Sequence, residues 1–421
     1  MKRILCILLT AAMLLTACAA WAEKTDPLVV LNVDDRLADE WSEMLGLKET
    51  PVNFGAERPV VKTLTTDPKP DIFQARHEFS QITEAGLAAA FEPTDLMKEE
   101  IAAMPQCLQD LYRDSLTTED GKLLGYIESA DLLSMGFYVP DAWAASPFRD
   151  MTPPSSLEEL LDFLEIYLET PHDGFCFIYD VREIWTVQYA VYTLMRCWAL
   201  QCHHAGKPVR FSDPQFVRLL ERTRDLTARL IKAEKGTKHQ KGRQLIQDQS
   251  SGHTNNNLDT VTFASLIPWR ITKDQPPLVM YWAHLYCVRS GSPYEGRAAE
   301  LLEHLISWRN HRYDNKPDRS EKRTCVYMGI NPDKVNVEEM NSYIRKTSGN
   351  KEMYSRKLLT QEYVDSMKDL HKYGILTLAS DEYENPRGTY SYEQYMAALK
   401  KFVDGKITAA EYAAKLDKMN E

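Results

Sequence analysis

Glycine is sparse in this chain, 18 of 421 residues, and neither GxGxxG nor GxxxxGK[ST] occurs. The usual glycine cradles for nucleotide phosphates are therefore missing. HExxH, GxSxG and CxxC are absent as well, which removes common templates for zinc, serine and dithiol chemistry. Bases are outnumbered: 50 Lys+Arg against 61 Asp+Glu leave a net charge of −11. A nucleic-acid binder needs clustered positive charge, so that class is disfavoured. Long apolar runs are lacking too. Ile4 to Leu15 spans twelve residues, short of the roughly 20 that cross a bilayer. Ile184 to Leu200 is apolar nearly all round but is interrupted by Gln188 and Arg196, which suits a buried helix. What remains is an ordinary globular balance, 44% hydrophobic and 26% charged, with no internal repeat. The length exceeds one compact core and implies two or three domain-sized units.

The first residues state a destination. Lys2 and Arg3 precede the Ile4–Leu15 run, the pattern of a secretory signal. Leu15-Thr16-Ala17-Cys18 resembles the lipobox of bacterial lipoproteins. Small residues at 16 and 17 suit a peptidase groove, and the Cys18 thiol is the nucleophile for lipid attachment. Residues 1–17 are then a signal peptide and Cys18 the lipidated residue. Ordinary cleavage after Ala20-Trp21-Ala22 is the other reading; either places the protein outside the cytoplasm. Removing 1–17 loses two bases and no acid, so the mature chain is more acidic still. Six cysteines remain, at 107, 176, 197, 202, 287 and 325. Their wide spacing fits buried small hydrophobes, with room for one or two bridges, better than a disulfide scaffold.

Leu28 to Val33 is a β-branched run of buried-strand type, Asp71-Ile72-Phe73 a second, and Lys122 to Ile127, after an Asp120-Gly121 turn, a third. Gln81 to Ala89 reads as helix between them. Alternation of this kind predicts α/β lobes with largely parallel sheets. Past Pro153-Pro154 the chain turns helical: Ser156 and Glu159 form a capping box before Leu157, Leu160, Leu161, Leu164 and Leu168. Ser212-Asp213-Pro214 opens another helix. Lys232 to Arg243, Ser250 to Asp259 and Tyr313 to Arg323 read as solvated loops. Ser391 with Gln394 and Thr408 with Glu411 are capping boxes of two terminal helices, parted by an Asp404-Gly405 stop.

Chemistry-bearing candidates are few. Cys197 with Cys202-His203-His204 has a faint look of metal ligands, but adjacent histidines at a helix end usually cap or face solvent. Ser348-Gly349-Asn350-Lys351 lacks the companion motifs of penicillin-type acylases and is a chance match. Carboxylates abound without a spacing that selects one pair. The 21 Tyr, 13 Phe and 8 Trp are more suggestive, with Trp185, Trp269 and Trp282 lying off the regular stripes. Sugar rings present apolar C–H faces that stack on such rings, although core packing explains buried tryptophans equally well.

Taken in order, the segments resemble an extracellular solute-binding protein of a bacterial ABC importer, of the large family headed by maltose-binding proteins. Lys69-Pro70-Asp71-Ile72-Phe73 resembles the family's strand entering the cleft, and Gly86 to Pro93 the G-L-L-x-P-L segment after it. Asp120 to Gly125 resembles DGKxYG, Phe137 to Trp143 stands where YYNKDLF would be, and Pro154 to Leu160 matches P-x-T-W-D-E-L except at the aromatic. Gly405 to Glu411 is close to the terminal GKITxEE. Two departures are Gly242-Arg243-Gln244-Leu245-Ile246 in place of G-x-x-A-M, and Ser290-Gly291-Ser292-Pro293 in place of S-x-N.

The resemblance implies a two-lobed periplasmic-binding-protein-like (type II) α/β fold with a central ligand cleft, two or three crossings and a hinge. Residues 23–127 plus 264–312 would form the first lobe, and 131–262 plus 318–421 the second. It also implies the site: Gln74, Arg76, His77 and Glu78 after the cleft-entering strand, Glu128 and Ser129 at the first crossing, Trp185 in the second lobe, and Trp269 and Arg270 after the second crossing. The expected protein is a monomeric, non-enzymatic receptor without metal or cofactor. It would bind a mono- or oligosaccharide and dock on an ABC permease, held at the outer face of the cell membrane by the lipid on Cys18. A peptide or polyamine receptor, a sensor, an adhesin that kept the fold, and a lipid-anchored glycan hydrolase are the alternatives.

Overall fold

The computed structural model describes residues 26–55, 60–75, 78–138, 140–172, 174–177, 183–235, 244–247, 266–311, 331–338, 361, 364–365, 368, 373–377 and 392–420. The signal segment with Cys18, the loops expected over 250–259 and 313–323, most of that at 232–243, the 348–351 match, Ser391 and Cys325 lie outside these residues.

Among the described residues, nine strands form two sheets. β1 (Val29–Leu31), β2 (Val52–Phe54), β3 (Ile72–Ala75) and β4 (Tyr126–Leu133) belong to the larger sheet. β5 (Gly136–Tyr138), β6 (Ile246–Gln247) and β7 (Leu266–Ile267) make the smaller one, ordered β6-β5-β7. β8 (Val279–Val288) and β9 (Gly374–Thr377) return to the larger sheet, whose order is β2-β1-β3-β8-β4 with β9 also on β8. The expectation of largely parallel sheets is corrected here. β1 with β2 and β3, and β8 with β9, are parallel, but β3–β8, β4–β8 and both pairs of the small sheet are antiparallel. Alternation along the chain reports local neighbours, whereas β8 is inserted between β3 and β4 from far downstream. β9, within the stretch assigned to the second lobe, also pairs with this sheet.

The helices, in order, are α1 (Asp35–Met44), α2 (Val60–Leu64), α3 (Phe79–Glu84), α4 (Asp95–Ala102), α5 (Gln106–Leu111), α6 (Pro140–Ala145), α7 (Leu157–Glu169), α8 (Glu183–His204), α9 (Pro214–Glu234), α10 (Ala298–His311), α11 (Tyr392–Val403) and α12 (Ala409–Asn420). α3 is shorter than the helix expected to reach Ala89. Gly86 takes φ 64 and Ala88 bridges to Arg289, so the chain leaves the helix for the sheet. The third strand starts at Tyr126 rather than Lys122; Leu123 makes only isolated bridges, to Phe91 and Thr117.

Capping follows the sequence closely. Ser156 Oγ accepts from the Glu159 amide (3.3 Å), while the Glu159 carboxylate turns one residue earlier, to the amide (2.9 Å) and hydroxyl (2.7 Å) of Ser155. Asp213 accepts from the Gln215 amide at 2.8 Å, with Pro214 in the first turn of α9. Before α12, the Thr408 amide donates to Glu411 (2.7 Å) and the Glu411 amide to Thr408 (3.2 Å), a reciprocal box. α8 buries Val187, Val191, Leu194 and Met195, and packs on α9 and α11. Among the described residues, no helix is long and apolar enough to cross a membrane. Cys107, Cys197, Cys202 and Cys287 are free thiols, and Cys176, Cys197 and Cys287 are buried. α7, α8 and α9 enclose a cavity of about 50 Å³ against the small sheet, with Leu161, Leu164, Thr193, Thr223 and Ile267 in its lining.

Candidate functional site

In a sheet with parallel strands, the crevice beyond their carboxyl ends, where connections diverge, is the place a ligand can reach polar groups without disturbing the ladder. Here β1 stops at Leu31 because Asn32 adopts φ 59, a left-handed conformation that asparagine tolerates better than most residues. The chain then turns into α1, capped by Asp34. β3 stops beside it at Ala75. The register gives the next feature. One edge of β8 is taken by β4, so β3 and β9 must share the other. β3 covers Leu285–Val288 and runs toward lower β8 numbers; β9 covers Val279–Trp282 and runs toward higher ones. Their carboxyl ends therefore approach head-on, at Ala283 and His284.

Burial breaks at that point. Along β8 only Trp282 and His284 are less than fully buried, and their spacing of two puts them on one face. Asn32 and Gln74 are half-buried too, while Leu31, Phe73, Ala283 and Leu285 are buried around them. The Asn32 side-chain amide donates to Gln74 Oε1. Gln74 Nε2 lies 2.7 Å from His284 Nδ1, and the indole of Trp282 stacks on the imidazole, with centroids 5.4 Å apart and planes at 25°. With Gln74 donating, Nδ1 accepts and the imidazole proton sits on Nε2. The arrangement combines neutral donors and acceptors with one aromatic face, which suits a hydroxylated solute having an apolar side.

Of the residues expected in the site, Gln74 is in this cluster. Glu128 and Ser129, expected at the first crossing, are on β4, where Ser129 is the register partner of His284. Both are buried, at 1% and 4% exposure, and the Ser129 hydroxyl donates to Glu128 Oε2. They underlie the open face rather than line it. Glu78 is placed elsewhere: its Oε2 accepts from the Val61 amide at 2.8 Å and so caps the first turn of α2.

Trp269, expected to stack on a ligand, is wholly buried. Its indole donates to the Leu133 carbonyl (3.0 Å), its amide to Leu278 (2.8 Å), and the Arg196 guanidinium lies 5.7 Å from its ring. With the Met135 amide donating to Ile267 (2.9 Å), this ties the segments 133–135 and 267–269 side by side. Arg270 is corrected likewise. Its guanidinium donates to the Ser155 carbonyl (2.6 Å) and hydroxyl (2.7 Å), and its own carbonyl accepts from the Leu157 amide (2.9 Å), closing the start of α7. Trp185 is on the first turn of α8; its side chain, like Arg76, His77 and Cys18, is outside the described residues.

Asn32, Trp282 and His284 are additions. Their signal was present: an asparagine closing an apolar run, and one histidine two residues from a tryptophan in the otherwise apolar Val279–Val288. The departure at Ser290–Pro293 also has a use. Ser292 Oγ donates to Asp71 Oδ1 (2.8 Å), the Val29 amide donates to Oδ2 (3.2 Å), and Arg289 stands 3.7 Å away. Burial still raises the Asp71 pKa above its ordinary value, against these lowering contacts. Among the described residues no three His, Cys, Asp or Glu side chains are grouped to hold a metal ion; His203 and His204 are exposed at the end of α8.

No protein-family model matches the chain, and no curated protein matches it in sequence. Solved structures do match. A chitin oligosaccharide binding protein superposes with a TM-score of 0.52 at 14% identity, covering 93% of this chain and 98% of that one. The ABC substrate-binding protein Lmo0181 from Listeria monocytogenes, solved in complex with cycloalternan, gives 0.51 at 12% identity, over 93% and 97%. The chain has the periplasmic-binding-protein-like α/β fold of these proteins.

Proposed function

We propose that the protein is an extracytoplasmic receptor for a neutral, hydroxyl-rich solute, an oligosaccharide before other classes, and that it delivers this solute to an ABC permease. The observation that carries the reading is the Asn32–Gln74–His284–Trp282 cluster at the meeting point of β3 and β9. It is supported by structural neighbours that bind cycloalternan and chitin oligosaccharide. In this reading Trp282 offers a stacking face, Gln74, Asn32 and His284 supply hydrogen bonds, and Trp185, Arg76 and His77 complete the pocket. The lobes are 23–127 with 264–312, and 131–262 with 318–421, with β9 as a third connection into the larger sheet. Solute bridging both lobes shifts the population from open to closed, with no covalent step. The lipid on Cys18 holds the receptor at the outer face of the membrane beside its permease.

The test is a thermal-shift and calorimetric screen of the protein lacking residues 1–18 against malto- and chito-oligosaccharides, cycloalternan, amino acids and polyamines. A ligand at 100 times its Kd stabilises the native state by about 2.7 kcal/mol. Saturable saccharide binding without product, weakened about tenfold or more by Trp282→Ala, is the expected result. Release of product would make the protein a hydrolase. A hit only among amines or amino acids would move the solute class, and a well-folded protein with no hit would favour an adhesin.

A further inference from the structure

Burying a guanidinium is costly unless its donors are all well used. Arg309, in the last turn of α10, is 1% exposed. Its Nη1 meets Glu100 Oε2 of α4 at 3.2 Å, and Glu100 is itself 3% exposed. The other two nitrogens go to the backbone of the crossing strand: Nε to the Glu128 carbonyl at 2.6 Å and Nη2 to the Ile127 carbonyl at 3.2 Å. The Ile127 amide donates to the hydroxyl of Tyr112 at 2.8 Å, at the start of a π-helical turn (Tyr112–Leu116) that follows α5. Lys334 Nζ contacts the second oxygen of Glu100, which brings the segment 331–338 to the same anchor.

These contacts converge on an irregularity. β4 pairs Ile127 with Leu285 and Ser129 with His284, so Glu128 is the extra residue of a β-bulge. Arg309 and Tyr112 bond the amide and carbonyl of Ile127 and the Glu128 carbonyl at this point. The bulge also decides which residue of β4 lies opposite His284. Side chains alternate along a strand, so in unbroken register Glu128 would stand opposite His284 and Ser129 would turn to the other face. The bulge makes Ser129 the register partner of His284, and the Ser129 hydroxyl donates to the Glu128 carboxylate.

We infer that Arg309 is a positioning residue of the solute site: it holds the bulge at Glu128 and so keeps Ser129, rather than Glu128, in register with His284. The inference rests on the receptor reading for its functional consequence. Its structural half stands on the hydrogen bonds alone.

The experiment replaces the buried pair by apolar residues, Arg309→Met with Glu100→Met, in the full chain purified in detergent. Such a swap removes both partners of the buried Arg309–Glu100 pair together, so neither is left unpaired. Three quantities are read: the unfolding midpoint, amide hydrogen exchange over 127–130, and affinity for maltotetraose and chitotetraose. A positioning role predicts a midpoint within a few degrees of the parent, exchange over 127–130 at least tenfold faster, and oligosaccharide affinity at least tenfold weaker. Tyr112→Phe, which removes only the hydroxyl beside Ile127, should speed the same exchange if the double variant does not fold. Exchange unchanged in the folded variants, or faster exchange with oligosaccharide affinity intact, would overturn the inference. If the parent binds neither oligosaccharide, the receptor reading loses its saccharide ligand, and the exchange result still decides whether Arg309 sets the bulge.

Discussion

Two threonines on the same cavity should respond to one substitution with opposite signs. Thr193 on α8 and Thr227 on α9 are 3% and 2% exposed, and both line the cavity against the small sheet. The Thr193 hydroxyl has no hydrogen-bond partner; that of Thr227 donates to the Thr223 carbonyl. Valine keeps the shape of threonine and has nearly the same helix propensity. Thr193→Val therefore removes an unsatisfied polar atom, whose burial costs about 1–3 kcal/mol, and puts a methyl group against an apolar lining. A stabilisation of about 1 kcal/mol is expected. Thr227→Val forfeits a hydrogen bond worth about 1 kcal/mol and should destabilise by that amount. The pair is compared by urea unfolding followed by near-ultraviolet circular dichroism, at constant m-value. If Thr193→Val costs as much as Thr227→Val, the Thr193 hydroxyl is satisfied and the account of this cavity is wrong.

Three further outcomes follow from local geometry. Trp282→Ala should weaken saccharide binding about tenfold or more in calorimetry while leaving the unfolding midpoint nearly in place, because the ring is only half-buried. A Cβ on Gly374 would meet Tyr281 Cε2 at 2.7 Å and Cys107 Sγ at 2.9 Å. Gly374→Ala should then cost about 1–3 kcal/mol and loosen β9, read as faster labelling of Cys107, whose thiol pKa burial pushes up to about 12. Because burial raises the native pKa of Asp71, its contribution to stability is full below the unfolded value near 3.8 and is lost as pH rises through the native one. The cost of Asp71→Asn should be greatest in acid and shrink as pH rises, in urea titrations between pH 3.5 and 7; a cost that grows with pH would contradict the buried-carboxyl account.

Local rules carried a good part of the structure. Ser156, Asp213 and Thr408 cap helices where side-chain oxygens precede apolar stripes, since a cap depends on residues within one turn. β1 and β3 fall on the β-branched runs at 28–33 and 71–73 for the same reason. The candidate site was only half legible. Gln74 could be placed by its position after a cleft-entering strand. Trp269 and Arg270 were expected to line the site after a crossing, yet one is locked in the core and the other closes a helix start. Proximity along the chain to a crossing does not fix the direction of a side chain.

The sequence by itself determined the α/β class, the helix boundaries set by caps and glycine stops, and a resemblance whose periplasmic-binding-protein-like fold the comparison bears out. Only the tertiary structure decided the pairing of β8 between β3 and β4, and with it the meeting of Asn32, Gln74, Trp282 and His284, and the bulge that selects Ser129 over Glu128. Capping and periodicity are written within a few residues. A strand whose partners on β3 and β4 lie 147 or more residues away is chosen by which edge and which buried face remain unfilled when the rest has packed, and no local window of sequence contains that choice.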